Sequence, residues 1–359
     1  MYEKELSALK KSGRLRERRL FSEKLIDLAS NDYLGMAHNK KVFERAVSRL
    51  RKSNVFGAKA SQLVNGYHAI HREFERFLIK SRGYEAAMTI GSGFLGNLAL
   101  FETLPRKGDL LLIDEEYHAS GILAAKTARS KVLFFAHNDA SDLEKKLKTR
   151  VNRRFVALEG VYSMGGDLVE KSVIETAKNA GATLILDEAH SIGVIGENLT
   201  GVLEHYGFNS QNVVLMGTLG KSYGSYGAYI LASDEIIRFL QSKAKPTIYS
   251  TAPSLFDIAY AREAARHIYS RRAVLRKRID RAREIAALFG YYSPSLILPI
   301  PLSSDKEAIE LQRKLLKEGF LVGAIRRPTV KTPQLRVILR ENPATLKRFF
   351  RALKKNMDG

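Results

Sequence analysis

The sequence predicts an α/β fold in which a large domain, built around a mainly parallel seven-stranded sheet, is followed by a smaller α+β domain. Two observations carry this prediction. Short apolar runs alternate with helical patterns through most of the chain, as they do where helices connect parallel strands. After about residue 253 the pattern changes to long basic helices, and 359 residues are enough for two hydrophobic cores.

Seven short runs rich in aliphatic residues are the candidate strands of the large domain, at 86–90, 110–113, 132–135, 155–158, 183–186, 213–216 and 228–231. In the smaller domain we expect strands near 296–301, 320–325 and 335–339. Helices are expected at 305–318, which Gly319 ends, and from about residue 344. The predicted organisation is an N-terminal arm over 1–35, a large domain over 36–250 and a small domain over 251–359.

Composition narrows the chemistry. The chain has no cysteine, which excludes disulfides, thiolate metal ligands and a cysteine nucleophile, so covalent chemistry falls to lysine, serine or another group. No metal site is predicted. No apolar run approaches the roughly 18 residues that span a bilayer, and the first residues, MYEKELSALKK, are charged. We therefore expect a cytoplasmic protein with no membrane partner.

The formal net charge of +21 is concentrated in three segments, 10–19, 271–283 and 346–355. Such a charge raises the possibility of nucleic-acid binding. The second and third segments, however, carry apolar residues at helical spacing, which is typical of the wet face of amphipathic helices. No recognition motif accompanies the charge, so we expect no nucleic-acid partner; a small polyanionic substrate would be attracted by the same field.

Lys221 is the most informative single residue, because it stands between an apolar strand and a turn that contains Gly220, Gly224 and Gly227. A lysine in that place can form an imine with an aldehyde cofactor, although a plain glycine-rich turn is the simpler interpretation. Asp187 closes another apolar strand, at the sheet edge where α/β proteins bind ligands. A carboxylate there can keep a pyridine nitrogen protonated, so the pair fits pyridoxal phosphate (PLP).

Other polar groups also follow predicted strands. His118 could stack on an aromatic ring and His190 could bond a phenolic oxygen, but a lone histidine is equally a buried core residue. The GSGFLGN segment at 91–97 opens a helical pattern, where amides can hold a phosphate. Its glycines also match the dinucleotide fingerprint, with Asp114 as the ribose-binding acid, but that interpretation leaves Lys221 and Asp187 unexplained.

Taken together, the motifs resemble the α-oxoamine synthases, PLP-dependent enzymes of the aspartate aminotransferase-like fold that join an amino acid to an acyl-CoA with loss of CO₂. The resemblance runs nearly end to end, through LASNDYLG (28–35), GYHAIH (66–71), FFAHND (134–139), EGVYSMGGD (159–167), DEAHSIGVIG (187–196), TLGK (218–221), IYST (248–251) and LRV (335–337). The AIRRPTV segment at 324–330 is most similar to the branch that makes an early biotin precursor from a pimeloyl thioester and L-alanine.

The resemblance implies a role for each matching residue. Lys221, His118 and Asp187 would be catalytic. The cofactor would contact Gly93, Phe94, His118, Ser163, Asp187, His190, Thr218 and Lys221, together with Ser250 and Thr251 reaching across a homodimer with shared sites. Arg336, with Asn31, would clamp the substrate carboxylate, and Arg326 or Arg327 would meet the far end of the acyl chain.

Two segments depart from the family pattern. GAKASQ at 57–62 replaces a glycine- and serine-rich stretch that commonly ends in arginine, and KTPQL at 331–335 is shorter than the usual turn before the carboxylate-binding arginine. Both segments concern substrate contacts, so the resemblance specifies the type of reaction more closely than it specifies the substrates. A sister synthase such as glycine C-acetyltransferase and an aminotransferase of the same fold stay open as alternatives.

Overall fold

The computed structural model describes residues 1–12 and 14–357, which divide into two compact units. The first unit contains Met1–Ser30, Met164–Gly166 and Ile279–Gly359, and the second contains Asn31–Ser163 and Asp167–Arg278. Each unit has its own sheet structure and its own core. Within the described residues, no helix is both long and apolar enough to cross a membrane.

The second unit is built on a seven-stranded sheet. Its strands are β2 (Ala86–Ile90), β3 (Leu110–Asp114), β4 (Lys131–Phe135), β5 (Arg154–Glu159), β6 (Thr183–Asp187), β7 (Val213–Thr218) and β8 (Ala228–Ala232), in the spatial order β2-β8-β7-β6-β5-β3-β4. The strands from β7 to β4 are parallel, whereas β8 is antiparallel to both of its neighbours. Thus β2 runs with the parallel strands, and all six end at one edge of the sheet.

Helices cover this sheet: α2 (Lys40–Arg51), α3 (Ala69–Arg82), α4 (Gly93–Thr103), α5 (Ala119–Ala125), α6 (Ala140–Leu147), α7 (Lys171–Asn179), α8 (Val202–Tyr206), α9 (Asp234–Lys243), α10 (Lys245–Ile248) and most of α11 (Leu255–Ala287). Strands β2, β3 and β8 are buried at every residue, whereas the edge strand β4 is only partly buried. Continuous apolar runs form the inner strands because helices bury both of their faces.

The first unit is a smaller α+β structure. It contains α1 (Glu3–Lys11), β1 (Ile26–Asp27), β9 (Ile297–Pro301), α12 (Asp305–Lys317), β10 (Phe320–Leu321), β11 (Gly323–Ile325), β12 (Gln334–Ile338) and α13 (Pro343–Met357). An antiparallel sheet has the order β11-β12-β9, and β1 pairs with β10 in parallel. Phe320 and Phe349 meet edge to face in its core, with ring centroids 5.5 Å apart.

The predicted fold is confirmed: each of the seven predicted runs is a strand of one mainly parallel sheet, and a smaller α+β part follows. Two local expectations were wrong. The single strand expected at 320–325 is two strands in different sheets, because the chain turns at the buried Val322. The basic segment after residue 253 is one helix of 33 residues rather than several. The domain boundaries drawn from the sequence stay a prediction.

Candidate active site

Lys221 and His190 meet beyond the carboxyl ends of β7 and β6. Lys221 lies three residues after β7, and its Nζ is 2.6 Å from Nε2 of the buried His190. The other ring nitrogen of His190, Nδ1, is 2.5 Å from the hydroxyl of Tyr33. The imidazole is therefore held from both sides, and it fixes the position of the lysine amine.

Asp187 is the last residue of β6, and the residue is buried, with 5% of its surface exposed. The backbone N–H of Ala189 donates to Oδ1 at 2.9 Å, and the Asn97 amide donates to Oδ2 at 3.1 Å. Among the residues that the structure describes, no lysine, arginine or histidine nitrogen lies within salt-bridge distance of this carboxylate. Since a buried charge is costly without an opposite charge, the site is suited to a cation that the chain itself does not supply.

Asn97 ties Asp187 to the segment after β3. Its side-chain amide also donates to the Ser120 hydroxyl at 2.9 Å, while its carbonyl oxygen accepts from the Tyr117 hydroxyl at 2.9 Å. All of these groups are buried. The network keeps the Asp187 carboxylate in one orientation, as a fully bonded buried network does.

His118 begins α5, and its Nδ1 accepts from the backbone N–H of Ser120 at 3.2 Å. The ring keeps an exposed face, although burial of its surroundings lowers the pKa of His118 below its ordinary value; Asp187 opposes this shift and Lys221 adds to it. The lowered pKa favours the neutral form of the imidazole. An exposed imidazole near Asp187 and Lys221 can stack on a planar ligand.

Glu159 ends β5 and lies opposite Asp187 in the register of the two strands. One of its oxygens accepts from the backbone N–H of His118, and the other accepts from that of Ser163 at 3.1 Å. Burial and the charge of Asp187 raise the pKa of Glu159 well above its ordinary value, while Lys221 opposes the shift. Two neighbouring buried carboxyls cannot both ionise without a compensating cation.

The predicted binding site for the cofactor phosphate lies at the start of α4 and the end of β7. The Ser92 hydroxyl caps α4 by accepting from the N–H of Leu95 at 3.2 Å, and Gly93 and Phe94 are the first two residues of the helix, whose N–H groups have no carbonyl partner within the helix. Gly93 lies over Met216 of β7, the strand that ends in Thr218. The Thr218 hydroxyl donates to the Gly227 carbonyl at 3.1 Å. A helix N-terminus of this kind suits an anion.

The remaining predicted residues have different surroundings. Ser163 is buried beside Glu159, and Asn31 accepts from the Tyr33 hydroxyl at 3.4 Å. Ser250 and Thr251 follow α10, where Thr251 is exposed. Three further residues belong to the first unit: Arg336 is buried on β12, Arg326 follows β11, and Arg327 pairs with Asp305 at 3.9 Å.

The dinucleotide alternative is wrong, because Asp114 cannot serve as a ribose ligand. Its side chain is fully buried, Oδ1 is bonded to His137 at 2.9 Å, and Oδ2 accepts from the backbone N–H of Asn138 at 3.0 Å. Gly96 instead gives room for α4 to approach β7, since a Cβ there would come within 3.1 Å of Met216.

Sequence reasoning missed three residues that shape this site: Glu159, Tyr33 and Asn97. Glu159 offered the same signal as Asp187, a carboxylate that closes an apolar strand, and could have been found in that way. Tyr33 is 157 residues from His190 in sequence, and Asn97 is 90 residues from Asp187. Their roles depend on long-range contacts that no local pattern records.

Comparison with known proteins supplies the family. The model of class I and II aminotransferases matches residues 23–353. The 8-amino-7-oxononanoate synthase of Helicobacter pylori strain J99 is 40% identical over 344 residues, covering 94% of this chain and 92% of the relative. That of Stutzerimonas stutzeri is 36% identical over 343 residues, covering 92% and 87%.

Solved structures agree with this assignment. A serine palmitoyltransferase with PLP has a TM-score of 0.89 and 25% identity, covering 99% of this chain and 97% of the other. The 8-amino-7-oxononanoate synthase of Francisella tularensis has a TM-score of 0.78 and 26% identity, covering 94% and 99%. This chain therefore belongs to the PLP-dependent class I and II aminotransferase family and, within it, to the 8-amino-7-oxononanoate synthases.

Proposed function

We propose that this protein condenses L-alanine with a pimeloyl thioester, carried by CoA or by an acyl carrier protein, to give 8-amino-7-oxononanoate, the free carrier and CO₂. This reaction belongs to biotin biosynthesis. The relatives named for this product are 40% and 41% identical over most of the chain, and they support the assignment of substrates. The geometry supports the assignment of chemistry.

The buried carboxylate of Asp187 is the single observation that carries the chemistry. The residue is 5% exposed at the end of β6, and its carboxylate has two hydrogen-bond donors and, within the described part of the chain, no cationic side chain at salt-bridge distance. The protonated ring nitrogen of PLP would supply that missing cation. Asp187 would in turn keep the proton on that nitrogen, because loss of the proton would leave the buried carboxylate unpaired.

PLP, when bound, supplies an aldehyde that captures amines and a ring that accepts an electron pair. Lys221 would hold the cofactor through Nζ, and the same amine, when free, would accept the α-proton of L-alanine. His190, 2.6 Å from Nζ, orients the amine during this proton transfer. Tyr33 bonds the opposite nitrogen of His190 and so fixes the ring.

Other residues bind and orient. The N–H groups of Gly93 and Phe94, with Thr218, Ser250 and Thr251, would hold the cofactor phosphate. The imidazole of His118 would stack on the cofactor ring. Ser163 and His190 would bond its ring oxygen region.

On the substrate side, Arg336 with Asn31 would bind the alanine carboxylate, and Arg326 would meet the distal carboxylate of the acyl chain. Arg327, which lies 3.9 Å from Asp305, is the alternative for that role. The proposal includes a homodimer with shared sites, consistent with the exposure of Thr251, and a cytoplasmic location. Sedimentation should then give twice the chain mass of 40.3 kDa.

Turnover of defined substrate pairs tests the function. We expect pimeloyl-CoA with L-alanine to exceed both acetyl-CoA with glycine and palmitoyl-CoA with L-serine in kcat/KM by roughly a hundredfold or more, since a few buried contacts supply that discrimination. Release of free thiol and CO₂ measures the rate. Faster turnover of either competing pair would overturn the assignment of substrates, and formation of pyridoxamine phosphate without thiol release would indicate an aminotransferase.

A further inference from the structure

A cavity with a volume of about 680 Å³ lies within the second unit among α2, α3 and α11. Its lining includes four cationic side chains, and none of its lining residues belongs to the predicted cofactor or substrate set. The lining residues on α2 and just after it are Arg45, Ser48, Arg49 and Lys52; those on α3 and α11 are Phe77, Glu263, Arg266, Tyr269 and Ser270.

The spacing of the basic residues explains how one cavity collects them. Arg45, Arg49 and Lys52 recur at intervals of four and three, which places them along one face of α2 and its end. Arg262 and Arg266 have the same interval of four on α11. The two basic stripes face each other, because Arg49 reaches Glu263 of α11 at 3.3 Å.

The charges of this cluster do not balance. Glu263 is buried and lies 2.6 Å from Arg262 and 3.9 Å from Arg266, in addition to its contact with Arg49. Glu73 of α3 pairs with Arg49 and lies 4.0 Å from Arg262.

In the described residues, Arg45 and Lys52 have no carboxylate at ion-pair distance. The cluster therefore has two carboxylates, Glu73 and Glu263, for five cations: Arg45, Arg49, Lys52, Arg262 and Arg266. Three positive charges are left over, and the field extends to His267, where burial together with Arg271, Arg45 and Lys41 lowers the histidine pKa.

From this excess of positive charge around a cavity of small-molecule size, we infer that the cavity is a binding site for a small molecule that carries a diphosphate or triphosphate group. A guanidinium group can bind two phosphate oxygens at once, and the Ser48 hydroxyl also lines the cavity. The rings of Phe77 and Tyr269 give the cavity an apolar wall. A volume of this size is typical of ligand pockets.

Calorimetric titration of the holoenzyme with inorganic pyrophosphate tests this inference. We expect one saturable site per chain. The double variant Arg45→Gln with Arg266→Gln removes two cations that line the cavity, and both residues are exposed, so the fold should persist. Its Kd for pyrophosphate should rise at least about tenfold, because two charge-assisted contacts are lost.

A matched control is the double variant Arg313→Gln with Lys354→Gln, which removes the same charge from exposed positions on α12 and α13. Its Kd should stay within about twofold of the parent value. Equal weakening in both variants, or binding without a fixed stoichiometry, would mean general attraction to a basic surface and would overturn the inference.

Steady-state kinetics separate this site from the acyl-CoA site, since CoA also carries a diphosphate. The cavity variant should keep the kcat and the KM for the acyl thioester of the parent enzyme. A rise in that KM parallel to the rise in the Kd for pyrophosphate would show that the cavity serves the substrate, and a separate site would be rejected. Pyrophosphate binding needs no turnover, so failure of the proposed function would leave this result unaffected.

Discussion

Two clusters of carboxylates stand at the same edge of the large sheet, and they differ in where their cation comes from. At the end of β3, Asp114 faces His137, whose second nitrogen is 2.9 Å from Asp167, so a histidine cation lies between two carboxylates. At the ends of β5 and β6, Glu159 and Asp187 are neighbours, and within the described residues no cation lies at salt-bridge distance from Asp187. The first cluster has a cation of its own, whereas the second would receive one from the proposed cofactor.

The pKa shifts follow this difference. Burial disfavours the charged form of His137, but its hydrogen bonds to Asp114 and Asp167 prevail and raise its pKa to about 10. Burial and the neighbouring Asp187 instead raise the pKa of Glu159, because both destabilise the ionised form of its carboxyl group. Similar carboxylates are thus matched by a histidine of the chain in one place and, in the proposed function, by the cofactor in the other.

The largest effect is expected for Lys221→Ala, which removes the amine that would react with the cofactor. Turnover should fall at least about a thousandfold, or roughly 4 kcal/mol, while the free energy of unfolding of the apoprotein stays nearly constant. Borohydride reduction and peptide mapping should place the cofactor of the parent enzyme on Lys221. Lys243→Ala, at an exposed position of α9, is the control and should change neither quantity. Cofactor trapped on another lysine would refute the assignment.

His137→Gln probes the cluster of Asp114, His137 and Asp167 and should act mainly on stability. The variant leaves Asp114, which is fully buried, without its cation, so the free energy of unfolding should fall by about 3 kcal/mol. Urea unfolding at pH 7 measures this quantity. The remaining turnover per folded molecule should stay within about threefold of the parent value; a much larger loss would mean that the two clusters do not differ in the way described.

Asp187→Asn should show the opposite behaviour. The rate should fall roughly a hundredfold, about 2.7 kcal/mol, because an amide cannot hold the ring proton of the cofactor. The apoprotein should be at least as stable as the parent, since the substitution removes a buried charge beside Glu159. Turnover and apoprotein melting are the two measurements. Near-native turnover would show that Asp187 serves only as a strand-end residue.

The last prediction is a pH dependence of stability, which we expect only from the cluster of Asp114, His137 and Asp167. The folded-state pKa of His137 is raised to about 10, above the ordinary value of 6.5, so its stabilisation is complete below about pH 6.5 and is lost as the pH rises through 10. The stability difference between the parent and His137→Gln should therefore lose most of its value between pH 7 and pH 10. A constant difference would mean that His137 is neutral in the folded protein.

Much of the fold could be predicted because its elements follow local rules. The seven large-domain strands are continuous apolar runs, and Lys221 and Asp187 are polar residues directly after such runs. The segment at 320–325 was misjudged because its apolar pattern is continuous although Val322 marks the passage between two sheets. The pattern records burial but does not record which strand a residue pairs with.

The sequence by itself determined the α/β fold class, the lysine and the aspartate of the site, and the family to which the chain belongs, because each depends on residue type and local order. Only the tertiary structure decided that Lys221 meets His190, that Tyr33 holds His190 from the other side, and that Glu159 lies beside Asp187. The physical reason is that strand order and register bring together groups that are distant in the chain. Burial then strengthens the electrostatic interactions between these groups, and those interactions distinguish the cluster around His137 from the cluster around Asp187.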